Sequence, residues 1–422
     1  MSDSTRVSVI IPVWNLWEMT AACLRSLAEQ SAGENIEVMV VDNHSTDVTT
    51  TELEPLGHAL FGAAFRALHL TENMGFAKAC NAGAQACESD LVFFLNNDTT
   101  MTAGWLPPLR TGLATARTGA VGPLLLYPDG TVQHCGVYVS PLGTVGHLYE
   151  HFPGSYAACH RPHPLQAITG AALLLRRDTF MDCGGFYEGY RNGFEDLDLC
   201  CALRERGLKV RVESASVIFH HTSQTPGRFE HELRNGQILV RRCGRVLRPD
   251  LHTLLALDGY SLCIGPDISM WFCLPEAEKQ RLNMTLTGKS FQEDRCRQEL
   301  EREPLWRDGW LALADWLEKK GQWDAALQVM SRCIQFVPER DVLLHWLRLG
   351  RRDPDKAAQI TRIVEQRNST PPDAEEHVRS ARQRARTLGD ADLEKLLSAW
   401  LIQYGRKTTS AATDGNTGKQ DG

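Results

Sequence analysis

The chain has 422 residues, too many for one compact core and enough for two or three domains. Its 43% hydrophobic and 23% charged residues are those of a soluble globular protein, and a formal net charge of -7 offers no basic field to nucleic acid. No stretch approaches the roughly 20 apolar residues of a membrane span, and the first apolar run, Val7 to Val13, lacks a basic flank and a cleavage site, so neither a transmembrane segment nor a signal peptide is expected.

The predicted elements begin with a strand at Val7–Val13 and a helix from about Leu16 to Gln30, where Met19, Cys23, Leu24 and Leu27 share a face. A continuous apolar run, Ile36 to Val41, ends in Asp42-Asn43. A helix follows, then a strand at Phe65–Leu70, a helix from Gly75 to Cys87, and a strand at Leu91–Leu95 that ends in Asn96-Asn97-Asp98. Such buried strands separated by helices predict a mainly parallel sheet covered on both faces. Ligands of an open sheet of this kind collect at the carboxyl ends of its strands, where Asp42 and Asp98 stand. Further strands are expected at Ala120–Tyr127, Ala171–Leu175 and Val210–Phe219. Helices are expected at Asp178–Cys183 and Glu195–Arg206, the latter with Gly207 at its C-cap. Residues 130–168 are rich in Gly, Pro and His and read as loop.

Beyond residue 276 the strand pattern ends. Residues 307–340 match the 34-residue tetratricopeptide spacing through Trp310, Leu313, Ala314, Leu317, Trp323, Ala326, Met330 and Pro338. The expected domains are 1–245 (α/β), 246–275 (linker), 276–405 (an all-α, tetratricopeptide-like region) and 406–422 (a disordered tail). The 13 cysteines make no CxxC pair, so reduced thiols in a cytoplasmic protein are expected.

Several motifs carry chemistry. A carboxylate at the Asp42 strand end suits the imide N–H of uracil or thymine; equally, Asp42 or Ser45 would cap the next helix. Asp98 offers carboxylate oxygen to a divalent cation that would offset a diphosphate, or it caps a turn. Glu195-Asp196-Leu197-Asp198 opens a helix, where acidic side chains favour the dipole and a carboxylate can also serve as a general base. His220-His221 ends a strand, either as surface or as a metal ligand. Asn73-Met74-Gly75 turns into a helix whose N-terminus suits phosphate.

Each motif is weak alone, but their order is specific: Val9-Ile-Ile-Pro-Val-Trp-Asn15, Val40-Val-Asp-Asn-His-Ser-Thr-Asp47, Asn73-Met-Gly-Phe-Ala77, Phe94-Leu-Asn-Asn-Asp98, Thr169-Gly-Ala-Ala-Leu-Leu-Leu-Arg-Arg177, Gly184-Gly-Phe186, Glu195-Asp-Leu-Asp-Leu199 and His220. Over residues 6–225 this resembles the family 2 glycosyltransferases, particularly their rhamnosyltransferase-like branch. The resemblance implies a GT-A (nucleotide-diphospho-sugar transferase) fold and inversion at the anomeric carbon. It implies Asp196 as catalytic base beside Glu195, and a Mg²⁺ or Mn²⁺ ion held by Asp98 with His220, or with His221 after a one-residue shift. It implies donor contacts from Pro12, Asp42, Asn43, Ser45, Asn73, Gly75, Lys78, Asn97, Gly170 and Ala171. The expected donor is a UDP- or dTDP-sugar, rhamnose included, and the acceptor a glycan, lipid-linked glycan or protein. The expected location is cytoplasmic or peripheral at the inner membrane face. Two features depart from the family pattern: Asn96 stands where a first carboxylate is usual, and Lys78 and Cys80 stand where relatives often carry an arginine near the diphosphate. A protein-interaction scaffold with a degenerate sugar-nucleotide domain is the alternative, and the helical region would bind its partner.

Overall fold

The computed structural model describes residues 5–221, 231–287 and 291–405. The expected disordered tail, 406–422, lies outside them.

The first half alternates as predicted: β1 (Val7–Val13), α1 (Trp17–Gln30), β2 (Ile36–Asp42), α2 (Thr49–Phe61), β3 (Phe65–His69), α3 (Phe76–Ala86) and β4 (Leu91–Leu95). Their strands lie side by side in the order β3-β2-β1-β4, all parallel. Every residue of β4 is buried, and β1 is buried except at Pro12. This two-sided burial is why these strands read as unbroken apolar runs. Next come β5 (Thr99–Met101), α4 (Leu106–Ala114), β6 (Thr118–Leu126), β7 (Val132–His134), β8 (Val137–Val139), β9 (Val145–His147), β10 (Ala172–Arg176), α5 (Arg177–Asp182), α6 (Glu195–Glu205) and β11 (Lys209–His220). The sheet continues past β4 as β10-β6-β11-β5, with β10 antiparallel to both β4 and β6. This mixed sheet is the α/β GT-A arrangement, and an all-α region follows it.

Residues 130–168, read as loop, hold the three-residue strands β7, β8 and β9. Runs that short carry no periodicity.

The segment expected as a linker, 246–275, is structured. It holds α8 (Leu251–Asp258) and a hairpin of β12 (Ser261–Ile264) and β13 (Met270–Cys273), after α7 (Glu232–Cys243). Cys263 and Cys273 form a disulfide across that hairpin, which corrects the expectation of uniformly reduced thiols. Their proximity comes from strand pairing, which cysteine spacing did not reveal. The other eleven cysteines are free, and all but Cys183 are buried, where cysteine packs as a small hydrophobe.

The helices α9 (Glu276–Asn283), α10 (Glu293–Arg302), α11 (Arg307–Lys319), α12 (Trp323–Phe336), α13 (Arg340–Gly350), α14 (Pro354–Asn368), α15 (Ala374–Leu388) and α16 (Ala391–Tyr404) complete the chain. Trp310, Leu313, Ala314, Leu317, Ala326 and Met330 are buried between the packed α11 and α12. Their core is not self-contained. Leu148, Tyr149, Phe152 and Tyr156, from the segment between β9 and β10, belong to the same apolar cluster as Trp310, Phe336 and Trp346. Phe152 packs edge-on to Phe336, with ring centroids 5.0 Å apart. Trp400 of α16 donates its indole N–H to the Gly265 carbonyl in the β12–β13 turn at 2.7 Å.

Candidate active site

A cavity of about 500 Å³ opens at the carboxyl ends of β1 and β4. Pro12, Asn43, Asn73, Gly75, Asn97, Asp98, Gly170, Ala171, Glu195 and Asp196 line it, so ten of the residues singled out in the sequence share one space. Asp42, Ser45, Lys78 and His220 are not on its wall.

Asp42 is 3% exposed and already engaged. One carboxylate oxygen accepts the Ser45 N–H at 2.9 Å, and the other meets His69 Nδ1 at 3.1 Å. Ser45 in turn accepts the Asn15 N–H at 2.8 Å, and Asn15 Oδ1 accepts the Thr46 N–H at 2.7 Å. Asp42 and Ser45 thus brace the loops after β1 and β2 from behind the wall. Asn43 reaches further: its amide donates to Asn73 Oδ1 at 2.9 Å and accepts from the Met74 N–H at 2.8 Å. The loop entering α3 is thereby tied to the loop after β2. Gly75 stands there at φ +84°, a left-handed conformation that suits glycine.

Asp98 lies in the turn between β4 and β5. His220, 1% exposed at the end of β11, brings its Nε2 to 3.0 Å from Asp98 Oδ1. His220 Nδ1 lies 3.0 Å from Gln133 Oε1, which can only accept, so Nδ1 carries the proton. His220 Nε2 thus lies between this carboxylate oxygen and the Asn96 amide, whose Nδ2 is 3.3 Å away, so a nitrogen and an oxygen donor stand side by side. A separation of about 3 Å is also the edge between adjacent ligands of an octahedral ion with bonds of about 2.1 Å. The donor pair therefore fits a divalent cation. His221 points elsewhere, its Nε2 3.2 Å from the Thr100 hydroxyl, so His220 is the histidine beside Asp98.

Glu195, Asp196 and Asp198 occupy the first turn of α6, where the helix dipole favours their charge. Their surroundings separate them. Asp198 is 5% exposed, receives Arg242 Nε and Nη2 at 2.5 and 3.0 Å, and accepts the Tyr190 hydroxyl at 2.9 Å. It is a packed anchor between α6 and α7. Glu195 is also buried and accepts the Gly193 N–H at 2.8 Å. Asp196 is half-buried on the cavity wall. Its Oδ2 accepts the Gly170 N–H at 2.8 Å, and its Oδ1 accepts the Leu197 N–H at 2.9 Å. A Cβ on Gly170 would stand 3.2 Å from the Asp196 Cβ, so glycine permits that approach.

The wall holds residues that no sequence motif marked. Asn192 and Phe194 have φ of +55° and +74°, flanking Gly193 at +137°. Asn235 of α7, 2% exposed, clamps this strained turn by donating to the Arg191 carbonyl at 2.9 Å and the Gly193 carbonyl at 3.2 Å. The site therefore extends past His221 into α7, where Glu232 and Asn235 also line the cavity. On another side it is closed by Val145, Gly146, His147 and Glu150. The histidine richness of residues 130–168 was the only hint of these.

The family model described as "Glycosyl transferase family 2" matches residues 8–184. The O-antigen biosynthesis protein RfbC of Myxococcus xanthus is 30% identical over 231 residues, 52% of this chain and 17% of that protein. The chain thus spans less than a fifth of that relative's length. The N-acetylglucosaminyl-diphospho-decaprenol L-rhamnosyltransferase of Mycobacterium tuberculosis is 30% identical over 217 residues, 46% of this chain and 69% of that protein. Among solved structures, GalNAc-T7 with UDP, GalNAc and Mn²⁺ aligns at a TM-score of 0.46 and 16% identity, over 56% of this chain and 48% of that one, too distant to carry roles across. No helix among the described residues is long and apolar enough to cross a membrane. With the family pattern running through the cavity's walls and 30% identity extending over 69% of one relative, the chain belongs to glycosyl transferase family 2.

Proposed function

We propose that the chain is an inverting glycosyltransferase that moves a sugar, rhamnose among the candidates, from a UDP- or dTDP-sugar to a hydroxyl of a glycan, lipid-linked glycan or protein. One observation carries this reading: Asp196 lies on the same cavity wall as Asp98, which touches His220, and it is the half-buried carboxylate of the three on α6. The acceptor hydroxyl gives its proton to the Asp196 carboxylate as its oxygen bonds to the anomeric carbon. The bond from that carbon to the phosphate oxygen breaks, and the nucleoside diphosphate leaves with the electron pair. Gly170 N–H holds the Asp196 carboxylate in orientation. Asn43, Asn73 and Gly75 face the nucleotide, and the N-terminus of α3 adds positive potential for its phosphates. Asp98 and His220 would hold Mg²⁺ or Mn²⁺, which supplies positive charge to the leaving diphosphate. The scaffold alternative is disfavoured because a degenerate site has no need to keep these groups on one cavity.

The test is Asp196→Asn, assayed for sugar transfer and for donor hydrolysis with UDP- and dTDP-sugars. Transfer should fall by roughly 10²–10⁴-fold, the usual contribution of a general base. Undiminished turnover rules out Asp196. Calorimetry of the same donors with and without Mn²⁺ checks the metal, and equal affinity in both would remove it.

A further inference from the structure

The wall formed by residues 145–150 is built from two alternating sets. Leu148 and Tyr149 turn into the helical region's core, while His147 and Glu150 face the cavity. Holding them so is costly. Tyr149 and His151, on either side of Glu150, have φ of +55° and +67°, a left-handed conformation that bulky side chains rarely adopt. The strain is fixed from both sides. The Tyr149 hydroxyl donates to Asp258 at 2.6 Å, and the His151 ring stacks on Tyr127 with centroids 5.0 Å apart. Tyr127 also donates its hydroxyl to Glu150 at 2.6 Å, which fixes the carboxylate's direction. Strain kept in this way is a mark of functional loops.

The chemistry of the pair follows from its partners. His134 is fully buried, and burial, with His147 and His220 nearby, holds its pKa well below the ordinary value. Its Nε2 accepts the Thr169 N–H at 3.3 Å, so its own proton sits on Nδ1. That Nδ1 lies 2.7 Å from Nδ1 of His147, which therefore accepts. Neutral His147 thus carries its proton on Nε2 as a donor. Glu150 is an acceptor. A carboxylate repels phosphate, so the group beside Glu150 is not the diphosphate, and an acceptor next to a donor suits paired hydroxyls.

We propose that His147 and Glu150 are specificity-determining residues that read neighbouring hydroxyl groups of a sugar ring, one as donor and one as acceptor. The ring belongs either to the donor sugar or to the acceptor glycan, and the inference rests on the glycosyltransferase reading above.

Calorimetry with Mn²⁺ compares UDP alone with a set of UDP- and dTDP-sugars, in the wild type, Glu150→Gln, His147→Phe and Tyr127→Phe. If the donor sugar is read, the preferred nucleotide sugar loses roughly tenfold or more in affinity in Glu150→Gln and His147→Phe, the scale of one hydrogen bond to a charged group, while UDP binds as before. Tyr127→Phe gives a smaller loss in the same direction. If the acceptor is read, donor affinities hold and KM for octyl glycoside acceptors rises by a similar factor. Unchanged affinity for UDP also shows that the variants are folded. Donor affinities and acceptor KM both within twofold of wild type would overturn the proposal. A wild type that binds no nucleotide sugar would instead sink the donor-site reading, and this inference with it.

Discussion

Asp196 and Asp198 are two residues apart on one helix turn, yet their environments give them opposite work. Asp196 has one face on the cavity and one on Gly170 N–H. Asp198 is spent on Arg242 and Tyr190. Replacing each with asparagine should therefore have opposite signatures. Asp198→Asn leaves Tyr190 and Arg242 with a poorer partner; stability should fall by about 1–3 kcal/mol, discounted because Arg242 is 42% exposed, while kcat per folded molecule stays near wild type. Asp196→Asn should do the reverse, losing transfer with little change in stability. Chemical denaturation alongside turnover assays checks both, and matching profiles for the two variants would erase the distinction. Gly170→Ala adds a finer test. Its methyl group would meet the Asp196 Cβ at 3.2 Å, so the base must shift by tenths of an ångström, and kcat should fall about tenfold with UDP affinity unchanged. An alanine variant with wild-type kcat would show that the contact is slack. At this scale the sequence was legible where residue type coincides with an element's end, Asp98 after β4 and Asp196 in the first turn of α6. It was silent on Asn235, because one asparagine in a helix of arginines carries no pattern, and its role exists only once α7 lies against the 191–194 turn.

Among the elements, the parallel half of the sheet was readable because two-sided burial leaves unbroken apolar runs. The strands β7, β8 and β9 were not, because three residues cannot display alternation, and the four-residue strands of the β12–β13 hairpin, too short for a clear pattern, hid inside an expected linker. These short elements make the junction between the sheet domain and the helices, and a buried acid marks it. Glu303, between α10 and α11, accepts hydroxyls from Tyr260 at 3.0 Å and Tyr156 at 3.3 Å. Burial raises its pKa to about 7, against the hydrogen bonds that lower it. A carboxyl group raised in the folded state stabilises fully below its unfolded pKa of 4.5, and that contribution disappears as pH climbs to about 7. The swing amounts to about 3 kcal/mol at most. Glu303→Gln, which cannot ionise, should lack this dependence: relative to wild type, it should gain stability between pH 5 and pH 8. Denaturant titrations at the two pH values decide it. Parallel changes in wild type and variant would mean that Glu303 is already ionised at pH 5.

For the molecule as a whole, the question is whether the helical region is a detachable module or part of the site. A tetratricopeptide-like array read from spacing suggests a separate docking unit, because such arrays bury their core between their own repeats. The contacts argue otherwise. Tyr149, Phe152 and Tyr156 of the sheet domain fill the same core as Trp310 and Phe336, and the chain that carries them also carries His147 and Glu150 to the cavity. Removing residues 276–422 would strip Phe152 of Phe336 and Tyr156 of Glu303 and open that shared core. At about 1.5–3 kcal/mol for each large apolar side chain, opening it rivals the stability of a domain. It would also loosen the strained turn at Tyr149 and His151, because α8, which carries Asp258, shares the helices' core through Leu254 and Leu255. The shortened chain, residues 1–275, should therefore aggregate, or if soluble should bind UDP while losing discrimination among nucleotide sugars and turnover on any acceptor, small glycoside or protein alike. A detachable module predicts a different result: full activity on small glycosides and loss only on a protein acceptor. Sedimentation, UDP calorimetry and transfer assays on the shortened chain separate the two. Native donor selectivity with a cooperative melt would show that the helices are a passenger, and that the sheet domain holds residues 145–150 in place by itself.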